Sequence, residues 1–416
     1  MFDSSRLRPE VSRALTRALE GRELTPEEAL PLATATGDEV PALARVADEL
    51  RRRQVGDTVT YVVNRNINFT NVCIKKCGFC AFSRDHRTEE GYFLPLEEVL
   101  RRAREAVALG ATEVCLQAGL APKMDGSFYL ELTRALKAEF PRLHLHAFSP
   151  EEVLYGSIRS RVSVREYLQE LKAAGLDTLP GTSAEVLVQE LRDRISPGRI
   201  TVEQWREVVG TAHELGIRTT STIMYGHLEE PRHWIAHLTL LRDMQWETGG
   251  FTEFVPLSFV HQEAPMFRLG LVQGVRPGAT GAEVVRMHAL GRLFLGETFR
   301  NIQASWVKEG PRLAQWLLTA GCNDLGGTLM NESISTSAGA SFGQLVPPGE
   351  LRRMAADLGR PCAQRNTVYA LLEERECRLD SVRDAEERFG SYAGLVASGQ
   401  HRFRHPFRGE GGGGPK

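Results

Sequence analysis

From residue 58 onward the chain alternates short apolar or β-branched runs with segments whose apolar residues repeat at helical spacing, and this rhythm restricts it to α/β folds with parallel strands. Thr58–Val63 reads as the first strand. Leu96, Leu100, Ala103 and Val107 mark a helix ended by Gly110 and followed by a strand over Glu113–Ala118. His144–Phe148 is a third strand. A helix from Ser163 to Ala174, stopped by Gly175, precedes a fourth near Thr178–Pro180, and Thr201–Leu215, stopped by Gly216, precedes a fifth at Thr219–Met224. Trp234–Met244 leads to Phe251–Leu257, Glu283–Leu295 to Asn301–Trp306, and Leu313–Ala320 to a last strand around Asp324–Leu329. Leu351–Leu358 supplies the closing helix. Eight such units are enough to close a (β/α)8 TIM-type barrel; an open doubly wound sheet is the alternative that the same alternation allows.

Residues 1–57 form an N-terminal helical extension in this reading. Thr25-Pro26-Glu27-Glu28 combines an N-cap, a first-turn proline and a capping-box glutamate, while Val40, Leu43, Val46, Ala47 and Leu50 give one apolar stripe. The barrel should occupy 58–360 and a short C-terminal helical segment 361–408, with a glycine-rich tail over 409–416 expected to be disordered.

Net charge bounds the partners. With 51 Lys and Arg against 53 Asp and Glu, the chain carries no electrostatic footprint for nucleic acid. No apolar run reaches the roughly 18–20 residues that cross a bilayer, and Met1–Glu10 lacks the apolar stretch of a signal peptide. Seven cysteines, three of them clustered, suit a reducing compartment, so a cytoplasmic location is expected.

The clustered three are Cys73, Cys77 and Cys80, in a loop directly after the first strand. Three thiolates in so short a span can hold three corners of an iron–sulfur cube and leave its fourth iron open to a substrate or cofactor. A structural zinc site would need a fourth ligand, for which His86 is available, but it gives no reason for the flanking residues. A ferredoxin-type cluster would want four cysteines, and Cys115, Cys322, Cys362 and Cys377 are scattered singly.

Barrel chemistry gathers where strands end, so the residues there are the remaining candidates. Gln117-Ala118-Gly119 follows the second strand, and its glycine permits close backbone approach to a ligand. Met224-Tyr225-Gly226-His227 ends the fifth and Ser258-Phe259-Val260-His261 the sixth. Tyr225, His227 and His261 are therefore candidate catalytic groups, the histidines because imidazole exchanges protons near neutral pH. Glu253, on strand six, is either a fourth such group or a buried structural carboxylate. Asn323 and Asp324 suit hydrogen bonding to a polar ring or ribityl chain, or else cap a loop.

The C-x3-C-x2-C spacing, with Phe79 before the last cysteine, resembles the signature of the radical S-adenosylmethionine (SAM) superfamily. Asn64–Asn71 ahead of it, Thr220–His227, Gly249–His261 and Asn323–Thr328 resemble the tyrosine-using FO synthase family within the subgroup that also holds the two radical SAM enzymes of the futalosine menaquinone route. The resemblance covers about residues 58–360. It implies a [4Fe-4S] cluster on Cys73, Cys77 and Cys80, with SAM on the open iron, Phe79 against its adenine and Gln117, Ala118 and Gly119 at its amino group. It further implies that a 5′-deoxyadenosyl radical takes hydrogen from the amine of L-tyrosine. The Cα–Cβ bond then breaks, and the 4-hydroxybenzyl radical adds to C5 of 5-amino-6-(D-ribitylamino)uracil, releasing 2-iminoacetate, methionine and 5′-deoxyadenosine. With one cysteine triplet, this chain is expected to perform only that step, a separate radical SAM subunit closing the deazaflavin ring of the coenzyme F420 precursor and a ferredoxin or flavodoxin supplying electrons.

Overall fold

The computed structural model describes residues 4–87, 91–373 and 377–403. Every strand pairing in its main sheets is parallel, as the strand–helix alternation requires. β1 (Val59–Val62) and β2 (Asn64–Ile67) are two halves of one run. β2 begins a curled sheet that continues through β3 (Glu113–Leu116), β4 (His144–Ala147), β5 (Thr178–Leu179), β6 (Arg218–Tyr225) and β7 (Phe251–Ser258). β8 (Asp324–Gly327) pairs with β1, and single bridges Phe254–Ile302 and Gln303–Asp324 connect β7 to β8. The eight expected strands are thus all found in barrel order, the seventh as a bridged run at Ile302 and Gln303.

Local sequence sets the helices. Ser149, Ser163, Thr201 and Thr280 each cap a helix while Glu152, Glu166, Gln204 and Glu283 reach back to the cap, so the helix starts are fixed by reciprocal hydrogen bonds. The helix Val164–Ala174 stops at Gly175, whose φ of 108° an L side chain rarely adopts. Three helices absent from the sequence reading, Ser127–Glu139, Pro150–Ser160 and Gln189–Ile195, complete the outer layer.

The N-terminal helices α1 (Pro9–Leu19), α2 (Pro26–Ala33) and α3 (Glu39–Val55) lie across the barrel helices Pro231–Thr248 and Gly281–Leu295. Arg242 Nη1 donates to Leu24 O at 2.8 Å, and Gln54 Nε2 to Gly296 O at 3.0 Å. The 361–403 segment is more than helical. Cys362–Gln364 forms β9, a further strand alongside β1. The chain then folds over the N-terminal end of the barrel before the helix Tyr392–Ser398. There the Tyr392 hydroxyl accepts from Asn68 N, at the approach to the cysteine loop. Residues 409–416, expected to be disordered, lie outside the described residues.

Candidate active site

The cysteine loop runs from the C-terminal end of β2 and is pinned on both sides by backbone hydrogen bonds. Ile74 N donates to Leu120 O at 2.9 Å, Gly78 N to Ile195 O at 2.8 Å, and Met266 N to Gly78 O at 2.7 Å. Gly78 permits this, since a Cβ there would stand 2.8 Å from that of Met266. Cys73, Cys77 and Cys80 are free thiols on this one loop. Among the described residues no group of three or more His, Cys, Asp or Glu converges tightly enough for a single metal ion. The donor set, three thiols spaced along a pinned loop, fits a cluster with separate irons better than one zinc. Burial pushes the Cys77 thiol up to about 12, and the Arg199 guanidinium, 3.3 Å from its Sγ, is the strongest opposing influence. Ligation to iron would remove the proton.

The Gln117–Gly119 loop lies against the cysteine loop. Asn68 Nδ2 donates to Gln117 O (2.7 Å), Ala118 N donates to Glu152 Oε1 (3.0 Å), and Gly119 N donates to Thr70 O (2.9 Å). A Cβ on Gly119 would meet Val72 O at 2.3 Å, so only glycine allows this approach. Glu152 is a buried carboxyl raised to about 7 by desolvation, and it also accepts from Ser149.

Phe79, Cys80 and Ala81 form one wall of a partly open cavity of ≈150 Å³, shared with Met224 at the end of β6, Ser258–Val260 at the end of β7, and Lys308. Ligand sites commonly measure about 300–1,000 Å³, so a nucleoside and substrates together would extend beyond this cavity through its open side. A larger depression of ≈850 Å³, lined by Thr201, Arg206 and Met244, lies among outer helices, away from the strand ends where barrel chemistry gathers.

A charged cluster borders the cavity. Arg199 contacts the Ser183 hydroxyl at 2.9 Å and Glu185 at 3.2 Å, and its guanidinium lies 5.4 Å from the Phe79 ring centre. Lys75 pairs with Glu151 at 3.1 Å. Ser183 and Glu185 hold φ values of 66° and 41°, a left-handed conformation that non-glycine residues adopt at a cost and that concentrates at functional sites. Arg199, Glu185, Glu151 and Lys308 did not emerge from the sequence reading. Thr182-Ser183-Ala184-Glu185 does follow the fourth strand, so the strand-end rule reaches Glu185; Arg199 sits on a loop with no strand before it.

The other candidates divide by position. The Tyr225 hydroxyl donates to Glu309 Oε1 at 3.2 Å, and that oxygen also accepts from Ser258 N at 3.2 Å, behind the cavity wall. His227 is fully buried, its Nε2 3.1 Å from Met224 O and its Nδ1 3.4 Å from Glu229 Oε2; burial lowers its pKa. His261 stands on the rim, edge-on to Phe267 with ring centres 4.8 Å apart. Glu253, Asn323 and Asp324 lie elsewhere, at the starts of β7 and β8. Asp324 accepts from Arg365 Nε at 2.6 Å, Glu253 from the Tyr369 hydroxyl at 2.5 Å, and Asn323 Oδ1 from Arg292 Nη2 at 2.9 Å. All three are buried at the end opposite the cysteine loop, where strand direction alone puts them.

Two family models match end to end: the Radical SAM superfamily over residues 67–241 and the CofH/MqnC C-terminal region over 248–370. The 5-amino-6-(D-ribitylamino)uracil–L-tyrosine 4-hydroxyphenyl transferase of Methanothermobacter thermautotrophicus is 47% identical over 368 residues, 88% of this chain and 99% of that protein. The chain belongs to the radical SAM superfamily and, within it, to the CofH family. The FO synthase of Mycobacterium tuberculosis is 51% identical over 348 residues, 84% of this chain but 40% of that protein, so the CofH-family chain spans under half of this longer relative. Among solved structures, methylornithine synthase (PylB) superposes with a TM-score of 0.64 at 18% identity, over 84% of this chain and 97% of that one. The hydrogenase maturase HydG of Carboxydothermus hydrogenoformans gives 0.67 at 17%, over 86% and 80%. At such identities they attest the fold.

Proposed function

We propose that this CofH-family chain joins the 4-hydroxybenzyl group of L-tyrosine to C5 of 5-amino-6-(D-ribitylamino)uracil, with release of 2-iminoacetate, methionine and 5′-deoxyadenosine. One observation carries the reading: the cysteine loop, in the region matched by the superfamily model, and the end of β7, in the region matched by the CofH/MqnC model, line the same cavity. Cluster and SAM, when bound, supply a 5′-deoxyadenosyl radical. The protein's own part is to hold the reactants and keep water out.

Cys73, Cys77 and Cys80 would hold three irons and leave the fourth for SAM. The Gln117–Gly119 backbone, fixed by Glu152 and Asn68, would receive the SAM amino group, and Phe79 would lie against the adenine. Thr182, Thr222 and Ser258 offer hydroxyls to the cavity for a polar pyrimidine and its ribityl chain. His227 would act by holding the Met224–Glu229 turn rather than by touching substrate, and the Tyr225–Glu309 pair by fixing the Ser258 backbone. No helix among the described residues is long and apolar enough to cross a membrane. The proposal places the chain in the cytoplasm, with a ferredoxin- or flavodoxin-type reductant and a separate cyclising subunit.

The test is anaerobic incubation of the iron-reconstituted protein with SAM, reductant, tyrosine and the ribityl-aminouracil, followed by mass spectrometry. The coupled adduct and one 5′-deoxyadenosine per turnover are expected. Turnover of futalosine-type substrates in its place would replace the reading.

A further inference from the structure

Among the described residues, the charged groups around the cavity are paired with one exception. Glu185 is taken by Arg199 at 3.2 Å and Arg192 at 3.4 Å. Glu309 accepts from Tyr225 and Ser258 N, and Glu332 accepts from Ser335 N at 2.9 Å. Arg199 is engaged by Cys77, Ser183 and the two glutamates Glu151 and Glu185. Lys308 lines the cavity, yet among the described residues no carboxylate lies within ion-pair distance of its ammonium and no acceptor within hydrogen-bond distance. Its acidic neighbours Glu309 and Glu332 act on it only from farther away, and burial raises both carboxyls toward the neutral form.

Lys308 is half-buried, and an ammonium partly withdrawn from water without a counter-charge carries a cost that a ligand anion removes. The remaining walls narrow what carries that anion. Phe79, Met224, Leu257, Phe259, Val260 and Ile334 are apolar, so the cavity pairs one free cation with a surface for an aromatic or aliphatic body. The backbone that carries Lys308 is held in place. Its short helix Trp306–Glu309 is anchored by Trp306 Nε1 donating to Gly327 O at 2.8 Å, and its backbone N donates to Ser305 O at 3.1 Å.

We propose that Lys308 binds the α-carboxylate of the amino-acid substrate. This rests on the function proposed above, in which SAM would be held at the open iron and the Gln117–Gly119 backbone and the pyrimidine carries no anionic group. Tyrosine joins a carboxylate to an aromatic body, the combination that this cation and these apolar walls suit. When Cα–Cβ breaks, that carboxylate stays on the two-carbon fragment. Lys308 therefore keeps the fragment at the wall while the benzyl group moves to the pyrimidine.

The test compares tyrosine with tyramine, which keeps the amine and phenol but lacks the carboxylate. Binding of each to anaerobic holoenzyme with SAM is measured by equilibrium dialysis for the wild type, Lys308→Met and Lys308→Arg. A charge-assisted hydrogen bond predicts that Lys308→Met loses about ten- to a hundredfold in tyrosine affinity. Tyramine binding should hardly change, and Lys308→Arg should restore part of the preference. Equal losses for both ligands overturn the proposal, as does a loss of SAM affinity in place of tyrosine affinity. If Lys308→Met lowers the melting temperature sharply, Lys308→Gln gives the same comparison without an apolar end. A wild type that forms no adduct removes the functional reading and this inference with it. A wild type that forms adduct, beside a variant that still prefers tyrosine, removes this inference alone.

Discussion

The two ends of the barrel are built on opposite terms. At the N-terminal end the buried carboxylates are matched. Arg365 grips Asp324 through Nε (2.6 Å) and Nη2 (2.9 Å) and lies over the Tyr369 ring, whose hydroxyl reaches Glu253. Asp324 also accepts from Thr60 at 2.6 Å, while Glu113 accepts from Asn64 and Thr367. At the C-terminal end, buried polar atoms of Arg199 (Nε), His227 (Nδ1) and Thr182 (Oγ1) make no hydrogen bond, while left-handed backbone occurs at both ends, at Ser183 and Glu185 here and at Tyr369 there. A barrel closed tightly at one end can tolerate unmet hydrogen-bonding capacity at the other, and that capacity is what ligands need.

The largest effect that tests this contrast is Cys77→Ala. It should abolish 5′-deoxyadenosine formation and reduce iron far below the four per chain of a full cube, whereas Cys115→Ala, on β3, should retain both. Deoxyadenosine from a Cys77→Ala protein without a cluster would end the radical reading. Next comes Arg365→Ala, which leaves Asp324 and Glu253 buried without their cation. A loss of about 3–5 kcal/mol in unfolding free energy is expected, with SAM cleavage per folded molecule little changed. Loss of cleavage at an unaltered melting temperature would instead make the sealed end part of the active site.

The same contrast explains what could be read from the chain. All eight strands were legible because β-branched runs and helical stripes are local patterns, and the cysteine loop because its ligands are adjacent in sequence. Glu253, Asn323 and Asp324 misled because polar residues near a strand suggest a site without saying at which end. Glu253 is the third residue of β7 and Asp324 the first of β8, so strand direction carries both away from the cysteines. β9 was missed because Cys-Ala-Gln has no strand signature and is recruited by pairing with β1. Lys308 follows the expected seventh strand by two residues and was within reach of the strand-end rule, whereas Arg199 comes from a segment between two helices, where only tertiary contacts decide which polar side chain turns inward.

A smaller effect separates the ends by pH. Burial raises the Glu253 carboxyl from 4.5 to about 7 in the folded chain, so between those values the folded state holds a proton that the unfolded state has released. Its contribution is fully present below 4.5 and fades as pH rises through about 7. Glu253→Gln should therefore flatten the decline in stability over that interval, by about 1–3 kcal/mol, as read from urea midpoints at successive pH values. An unchanged slope would mean that Arg365 keeps Glu253 ionised throughout.

The smallest effect concerns His261, where the two ends are hardest to tell apart. Its ring stacks edge-on against Phe267 on the segment following β7 and does not line the cavity. Removing one half-buried edge-to-face pair costs about 0.5–1.5 kcal/mol, so His261→Ala should lower the melting temperature slightly. SAM cleavage should persist, because the cysteine loop is held by Met266 and Ile195 rather than by this ring. The ratio of coupled adduct to 5′-deoxyadenosine is the informative readout, and it should stay within about twofold of wild type if His261 only anchors the rim. A tenfold fall corresponds to about 1.4 kcal/mol of lost transition-state stabilisation. A change of that size, at an unchanged melting temperature, would show that the loop brings His261 onto substrate when it closes, extending the reactive end of the barrel from the cavity to its rim.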